Sequence, residues 1–283
     1  MPRLSIITIN YNNCKGLQKT IQSVFTQTFK DYEYIIIDGG STDGSTDIIK
    51  NTADGLSYWI SEPDKGIYNA MNKGIVQAKG EYLQFLNSGD SFSDEHILSG
   101  IFSTARTADI VYGDINSSYA DGSKKRLRSP HGDELSMMPF FTHNLAHPAS
   151  FIKKELFNKG LYDENYRIVA DNKFFIDRII LDNCSLDYIN KVLINFDMGG
   201  LSSDPVNWEK TNEERRKLIT ELLPPRVLKD YDSFLMVRDS KLLPYIPVLN
   251  NSTGFQNLVA GVVGLMVKCY CLFRGTGKNR NKK

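Results

Sequence analysis

Four short apolar runs in the first 90 residues each stop against a turn bearing Asn or Asp, and this pattern limits the fold more than any other feature. Leu4–Ile9 runs into Asn10-Tyr11-Asn12, and Tyr34–Ile37 into Asp38-Gly39-Gly40. Tyr58–Ile60 leads to Glu62-Pro63-Asp64, and Tyr82–Leu86 to Asn87-Ser88-Gly89-Asp90. Runs this short and apolar on both faces read as strands buried in a parallel sheet. Helical spacing fills the intervals: Leu17, Ile21, Val24 and Phe25 within Cys14–Gln27, a short helix from Thr46 to Ile49, then Ile67, Met71 and Ile75 within Gly66–Ala78. Ile110–Tyr112 adds a fifth strand. The βαβα order predicts an α/β chain with a doubly wound, mostly parallel, Rossmann-like sheet. Ligands of such sheets sit outside the carboxyl ends of the strands, where this chain places its Asn and Asp residues.

The second half is less regular. Ile115–Leu127 reads as a hairpin about Asp121-Gly122, and Val169–Leu181 as a helix with Asp171 in its first turn. Leu186–Ile189 and Val192–Phe196 read as two short strands, and Val206–Leu222 as a charged surface helix. Pro224-Pro225, Pro244 and Pro247 mark a linker over 223–254. From Phe255 an apolar stripe of Leu258, Val259, Val262, Leu265, Met266, Cys269, Tyr270 and Phe273 predicts a C-terminal amphipathic helix.

Charge is distributed unevenly. The chain has 34 Lys and Arg and 33 Asp and Glu, but seven of the basic residues and none of the acidic ones follow Asp239. That leaves 27 basic against 33 acidic residues in the body, a net −6 beside a +7 tail. The near-neutral total argues against a nucleic-acid binder. The basic, amphipathic segment 255–283 instead suits an anionic membrane surface; a second subunit is its other natural partner, giving a homodimer. Lys268 inside the segment argues against a spanning helix. Met1-Pro2-Arg3-Leu4 runs straight into a strand, so no signal peptide is read and a cytoplasmic place on the inner face of the cell membrane is expected. The four cysteines form no Cys-x-x-Cys pair, which argues against structural zinc and a disulfide scaffold.

Asp38, Asp64 and Asp90 each follow a buried strand. Carboxylates there accept hydrogen bonds from hydroxyls or a base N–H, or bind a hard divalent cation; the bland alternative is a helix cap or an Asx turn. The loop Asp38-Gly39-Gly40-Ser41-Thr42-Asp43-Gly44-Ser45 lets backbone approach a ligand closely. Strand one lacks the Gly-x-Gly-x-x-Gly of dinucleotide folds, and no Gly-Lys-Ser/Thr phosphate loop is present.

Four ordered motifs then become specific: Ser5-Ile6-Ile7-Thr8-Ile9-Asn10-Tyr11-Asn12, Ile36-Ile37-Asp38-Gly39-Gly40-Ser41-Thr42-Asp43-Gly44, Ser61-Glu62-Pro63-Asp64-Lys65-Gly66-Ile67-Tyr68-Asn69-Ala70-Met71-Asn72-Lys73-Gly74, and Gly80 through Asp90. With the later His147-Pro148-Ala149-Ser150-Phe151, Ala170-Asp171 and Phe196-Asp197-Met198-Gly199-Gly200-Leu201-Ser202, the set resembles the family 2 glycosyltransferases over about residues 3–205.

That resemblance implies a GT-A fold with a C-terminal helical extension, a nucleotide-sugar donor (a UDP-sugar first), a glycan or lipid-linked saccharide acceptor, and inversion at the anomeric carbon. It divides residues 1–222 into a nucleotide-sugar half, 1–112, and an acceptor half, 113–222. By position, Asn10, Tyr11 and Asp38 would contact the nucleoside with Asp64 beside them, Asn87 would bond a ribose, and Asp171 would be the general base. Asp90 would hold Mn²⁺ or Mg²⁺, although the acidic residues that relatives carry at the first and third motif positions are here Asn87 and Gly89. Asp171 could instead cap its helix. His147 is a candidate contact to acceptor or diphosphate, whereas His131 and His143 read as structural. The expected activity is surface-polysaccharide assembly, in capsule, exopolysaccharide or O-antigen. The alternative is a catalytically inactive sugar-nucleotide or glycan-binding subunit of an assembly complex. A processive synthase is disfavoured, since no Gln-x-x-Arg-Trp motif occurs.

Overall fold

The computed structural model describes residues 1–119, 121–132, 135–142, 144–200, 205–238 and 252–277. The chain folds as two compact units, Met1–Leu222 and Leu223–Lys283.

In the first unit, β1 (Leu4–Asn10) is buried along its whole length, and β2 (Tyr32–Asp38) along nearly all of it. They pair in parallel with each other, and β3 (Tyr58–Ser61) and β4 (Tyr82–Phe85) extend the parallel sheet on either side. Between them run α1 (Cys14–Phe25), α2 (Ser45–Asn51) and α3 (Ile67–Gln77). α1 turns Leu17, Thr20, Ile21 and Val24 to the core, and Asn13 caps it by accepting from the Gly16 N–H at 3.1 Å. α3 lies close on the sheet because Gly74 has no side chain; a Cβ there would stand 2.5 Å from Ile7 Cγ2.

The second half departs from a purely parallel plan. β5 (Ser91–Phe92), α4 (Ile97–Phe102), β6 (Ile110–Ser118), β7 (Lys124–Leu127), β8 (Ser150–Lys153) and β9 (Leu186–Asp197) complete a nine-stranded sheet. Its order is β3-β2-β1-β4-β8-β6-β9-β5, with β7 paired to β6. β8 runs antiparallel to both β4 and β6 and joins the two halves. β6 and β9 are parallel, and β7 closes the expected hairpin, Ile115 opposite Leu127.

Three details differ from the sequence expectation. β9 is one strand of 12 residues instead of two, because it stays paired to β6 across a register shift at Gly113–Ile115. The helix carrying Asp171 is α only over α5 (Ala170–Phe175) and continues as a wider π turn, Ile176–Leu181. The segment 223–254 is not all linker, since α7 (Pro225–Arg238) occupies much of it, after α6 (Trp208–Leu222). In the second unit, α8 (Thr253–Gly277) exposes Phe255, Leu258, Val262, Leu265, Met266 and Tyr270. No described helix is long and apolar enough to cross a membrane.

Candidate functional site

The carboxyl ends of the parallel strands form a lateral row: Asn10 opposes Asp38, and Asp38 opposes Ser61. Asp38 is 0% exposed and both its oxygens are filled. Oδ1 accepts from Asn10 Nδ2 at 2.7 Å and Ser41 Oγ at 2.6 Å; Oδ2 accepts from the Ser41 N–H at 2.9 Å and Ser61 Oγ at 2.6 Å. Burial alone would raise this carboxyl, but the bonds from Ser41, Ser61 and Asn10 outweigh it and hold Asp38 below the ordinary carboxylate range. Asp38 thus ties three strand ends together, with protein donors on both of its oxygens.

The loops that follow are fastened to each other. Asn12, in the left-handed region at φ 48°, donates its N–H to Ser41 Oγ at 2.7 Å and accepts from the Thr42 N–H at 2.9 Å. The Cys14 N–H donates to Asp43 Oδ2 at 2.7 Å. Asp43, which sequence reasoning passed over, is held below its usual range, first by the Ser45 hydroxyl. Above this base, Tyr11 and Asp64 meet over Gly39. A Cβ on Gly39 would stand 2.6 Å from Asp64 Oδ2 and 3.2 Å from Tyr11 Cδ2, so only glycine leaves both side chains in place. Tyr11 is exposed, and Asp64 Oδ1 accepts the Gly66 N–H at 2.9 Å at the start of α3.

The 87–90 turn is anchored on α1. Buried Thr20 donates its hydroxyl to the Asp90 carbonyl at 2.7 Å and accepts the Gly89 N–H at 3.0 Å. Lys19 Nζ reaches the Gly89 carbonyl at 2.7 Å, and Asn13 Nδ2 the Ser88 carbonyl at 3.0 Å. The Oδ1 atoms of Asn10 and Asn87 are buried without a partner among the described residues, acceptors of the kind a ligand fills. Asp90 is 3% exposed, and its Oδ1 accepts the backbone N–H of Asp197 at 2.9 Å. Burial chiefly, with the Asp197 charge adding to it, pushes the Asp90 carboxyl up to about 7 against the pull of that N–H and Lys19.

Asp197 was missed as a site residue, although it closes a strand just as Asp38 does. Among the described residues no three His, Cys, Asp or Glu side chains are grouped to hold a metal ion. Asp90 and Asp197 nonetheless adjoin, and the second oxygen of Asp90 takes no hydrogen bond from a described residue. This donor set fits a hard divalent cation that draws its remaining ligands from water and phosphate.

Asp171 reaches the same edge of the sheet through the first turn of α3. Tyr68 Oη lies 2.8 Å from Asp171 Oδ1 and 2.7 Å from the Ile168 carbonyl, sharing its proton between them. Asp171 Oδ1 also accepts the Asn172 N–H at 2.9 Å, and Oδ2 accepts Asn144 Nδ2 at 2.7 Å. Burial first, and then the Asp171 charge, hold the Tyr68 phenol well above its ordinary range, so it stays a donor. Asp171 does not cap its helix: Val169 holds that position, and no side chain caps the end.

His147 is 7% exposed, bonded through Nε2 to Tyr162 Oη at 2.8 Å and stacked on Phe85 at 5.0 Å. Desolvation pushes its pKa below the usual value, against the pull of the Asp171 charge, so His147 stands in the structure as a neutral, packed imidazole. His143 lies outside the described residues.

Residues 5–161 match the family described as Glycosyl transferase family 2. An uncharacterized glycosyltransferase of Mycobacterium tuberculosis is 35% identical over 209 residues, 71% of this chain and 78% of that protein. A PGL/p-HBAD biosynthesis glycosyltransferase of Mycobacterium bovis is 31% identical over 219 residues, 74% of this chain and 82% of its own. Among solved structures, S. aureus TarS 1–349 in complex with UDP-GlcNAc superposes with a TM-score of 0.56 at 19% identity, over 69% of this chain; this chain spans only 58% of that one. The mannosyltransferase PcManGT from Pyrobaculum calidifontis, in complex with GDP-Man and Mn²⁺, gives 0.58 at 16% identity, over 94% of this chain and 81% of that one. At these identities the two structures share the fold.

Proposed function

Because the chain belongs to glycosyl transferase family 2, and is thus a glycosyltransferase built on the GT-A fold, we propose that it moves a sugar, with inversion, from a nucleotide-diphosphate sugar to a hydroxyl of a glycan or lipid-linked saccharide, in the assembly of a surface polysaccharide or glycolipid. The observation that carries this reading is the clamp on Asp171, whose two oxygens are fixed by Tyr68, Asn172 and Asn144.

An acceptor hydroxyl is a poor nucleophile, and a positioned carboxylate that takes its proton contributes about 10²–10⁴ in rate. One base on the face opposite the leaving group is what inversion requires, in place of the close carboxylate pair of a retaining hydrolase. Tyr11 offers an exposed ring for the base, Asp64 an acceptor for its N–H, and the unfilled oxygens of Asn10 and Asn87 accept sugar hydroxyls. Asp38 serves the nucleoside indirectly, by holding Asn10, Ser41 and Ser61. Asp90 would hold Mg²⁺ or Mn²⁺, which when bound would neutralise the charge on the departing diphosphate. The nucleotide sugars and Mn²⁺ in the structural neighbours support this donor and metal.

The apolar residues of α8 and the basic residues after Asp239 would hold the enzyme at the inner face of the membrane. A second copy is the other occupant of that face.

Release of nucleoside diphosphate from a panel of UDP-, GDP- and TDP-sugars with Mn²⁺, with the anomeric configuration of the product read by NMR, tests the reaction. A retained configuration overturns the assignment of Asp171. Flotation with anionic liposomes, full chain against a chain ending at Asn250, tests the membrane; equal flotation overturns it.

A further inference from the structure

Asp197 sits at the end of β9, more than a hundred residues from Asp90 in sequence, yet the sheet brings them together. β9 is paired on one side to β6, Asp197 opposite Ser118, and on the other to β5, Asn195 opposite Ser91. The position of Asp197 is thus set by strand pairing. Its backbone N–H is spent on Asp90 Oδ1, and its own Oδ1 on the Gly199 N–H at 2.9 Å. Its other oxygen points to Gly89: a Cβ there would lie 2.6 Å from Asp197 Oδ2. Gly89 also takes φ 107°, a conformation that side-chain-bearing residues rarely adopt. The turn therefore leaves a space for the Asp197 carboxylate over Gly89, next to Asp90 in the chain and on the residue whose backbone N–H bonds Asp90 Oδ1.

Two neighbouring carboxylates repel each other unless one takes up a proton or a cation stands with them. The ammonium in reach, Lys19, is engaged with the Gly89 carbonyl. Each carboxylate keeps one oxygen that no described residue's hydrogen bond claims: the second of Asp90, and Oδ2 of Asp197. We propose that Asp197 and Asp90 together form the protein's share of a divalent-cation seat, with β9 supplying the second carboxylate from outside the 87–90 turn. This rests on the donor-site reading above, and it adds a ligand that the turn itself does not contain.

The test is binding of Mn²⁺ alone to the full chain, followed by calorimetry and by the loss of the free-Mn²⁺ EPR signal. The wild-type protein is expected to take up one Mn²⁺. Asp90→Asn and Asp197→Asn should each weaken it at least tenfold, while circular dichroism and Tm without metal are unchanged. Asp197→Glu, which keeps the charge but changes its reach, should fall between wild type and Asp197→Asn, and reports on the seat should the amide variant fold poorly. Loss of Mn²⁺ with Asp90→Asn but wild-type affinity with both Asp197 variants overturns the role of Asp197 and leaves the donor site standing. Wild-type affinity in all three variants, or no uptake by the wild-type protein, overturns the seat itself.

Discussion

Replacing Asp171 by Asn separates its charge from its shape, and the surroundings make the outcome calculable. The carboxylate accepts the Tyr68 hydroxyl at 2.8 Å and the Asn172 N–H at 2.9 Å on one oxygen, and Asn144 Nδ2 at 2.7 Å on the other. An amide there keeps an oxygen for Tyr68 and Asn172 but turns an NH₂ group toward Asn144. Asn144 can answer by rotating its own amide half a turn, because its Oδ1 is buried without a partner among the described residues. One hydrogen bond is exchanged for another, so stability should change by less than about 1 kcal/mol, or about 2–4 °C in Tm for a unit of this size. The reaction, in contrast, would lose the proton acceptor proposed above, and kcat should fall by about 10²–10⁴, which is about 3–5 kcal/mol in the barrier. The assay is release of nucleoside diphosphate from the best donor of the UDP-, GDP- and TDP-sugar panel, with nucleotide affinity measured in parallel by calorimetry. Unchanged turnover, or a loss of turnover matched by an equal loss of nucleotide affinity, would refute the assignment of Asp171 as base.

Tyr68→Phe removes the hydroxyl that steadies Asp171 and bonds the Ile168 carbonyl; we expect about 0.5–1.5 kcal/mol of lost stability and a fall in kcat with KM for the donor unchanged, read from steady-state kinetics. Gly39→Ala drives a methyl group against Asp64 and Tyr11, so nucleotide affinity should drop about tenfold by calorimetry, for a loss of the order of one good contact, while Tm holds. His147 is neutral and buried, with its pKa depressed in the folded state. The unfolded chain therefore binds the extra proton first, and the wild-type protein should lose stability as the pH falls from about 6.5. His147→Phe should show a shallower loss of Tm between pH 7 and pH 5, with kcat intact; a fall in kcat at unchanged stability would restore His147 to the site.

The buried parallel strands were legible because each is a continuous apolar run, and their ends were legible because polar residues gather where such a sheet meets its ligand. What the side chains do at those ends was less so. Nothing in the linear order shows that Asp38 accepts from Asn10 and Ser61, which only the lateral register of three strands brings to it. His147 gave no sign that Phe85 and Tyr162 close over it. β5 has only two residues, and β8 holds a single apolar pair, Phe151-Ile152, between Ser150 and Lys153, so neither offers a run to read. Asp197 could have been found by the rule that found Asp38, a carboxylate closing an apolar strand, but nothing in the linear order pairs it with Asp90.

The stitching of residues 10–14 to residues 38–45 carries a consequence for specificity. With Asn12 bonded to Ser41 and Thr42, Cys14 to Asp43 and Asn10 to Asp38, the protein's own hydrogen bonds tie the two loops into a single piece of backbone. A shape assembled in advance loses little entropy when its guest binds, and it resists piecemeal revision, since changing one loop strands the polar groups of the other. Preference for one base over another should accordingly be inherited, and transplanted between relatives, as a cassette of both loops together.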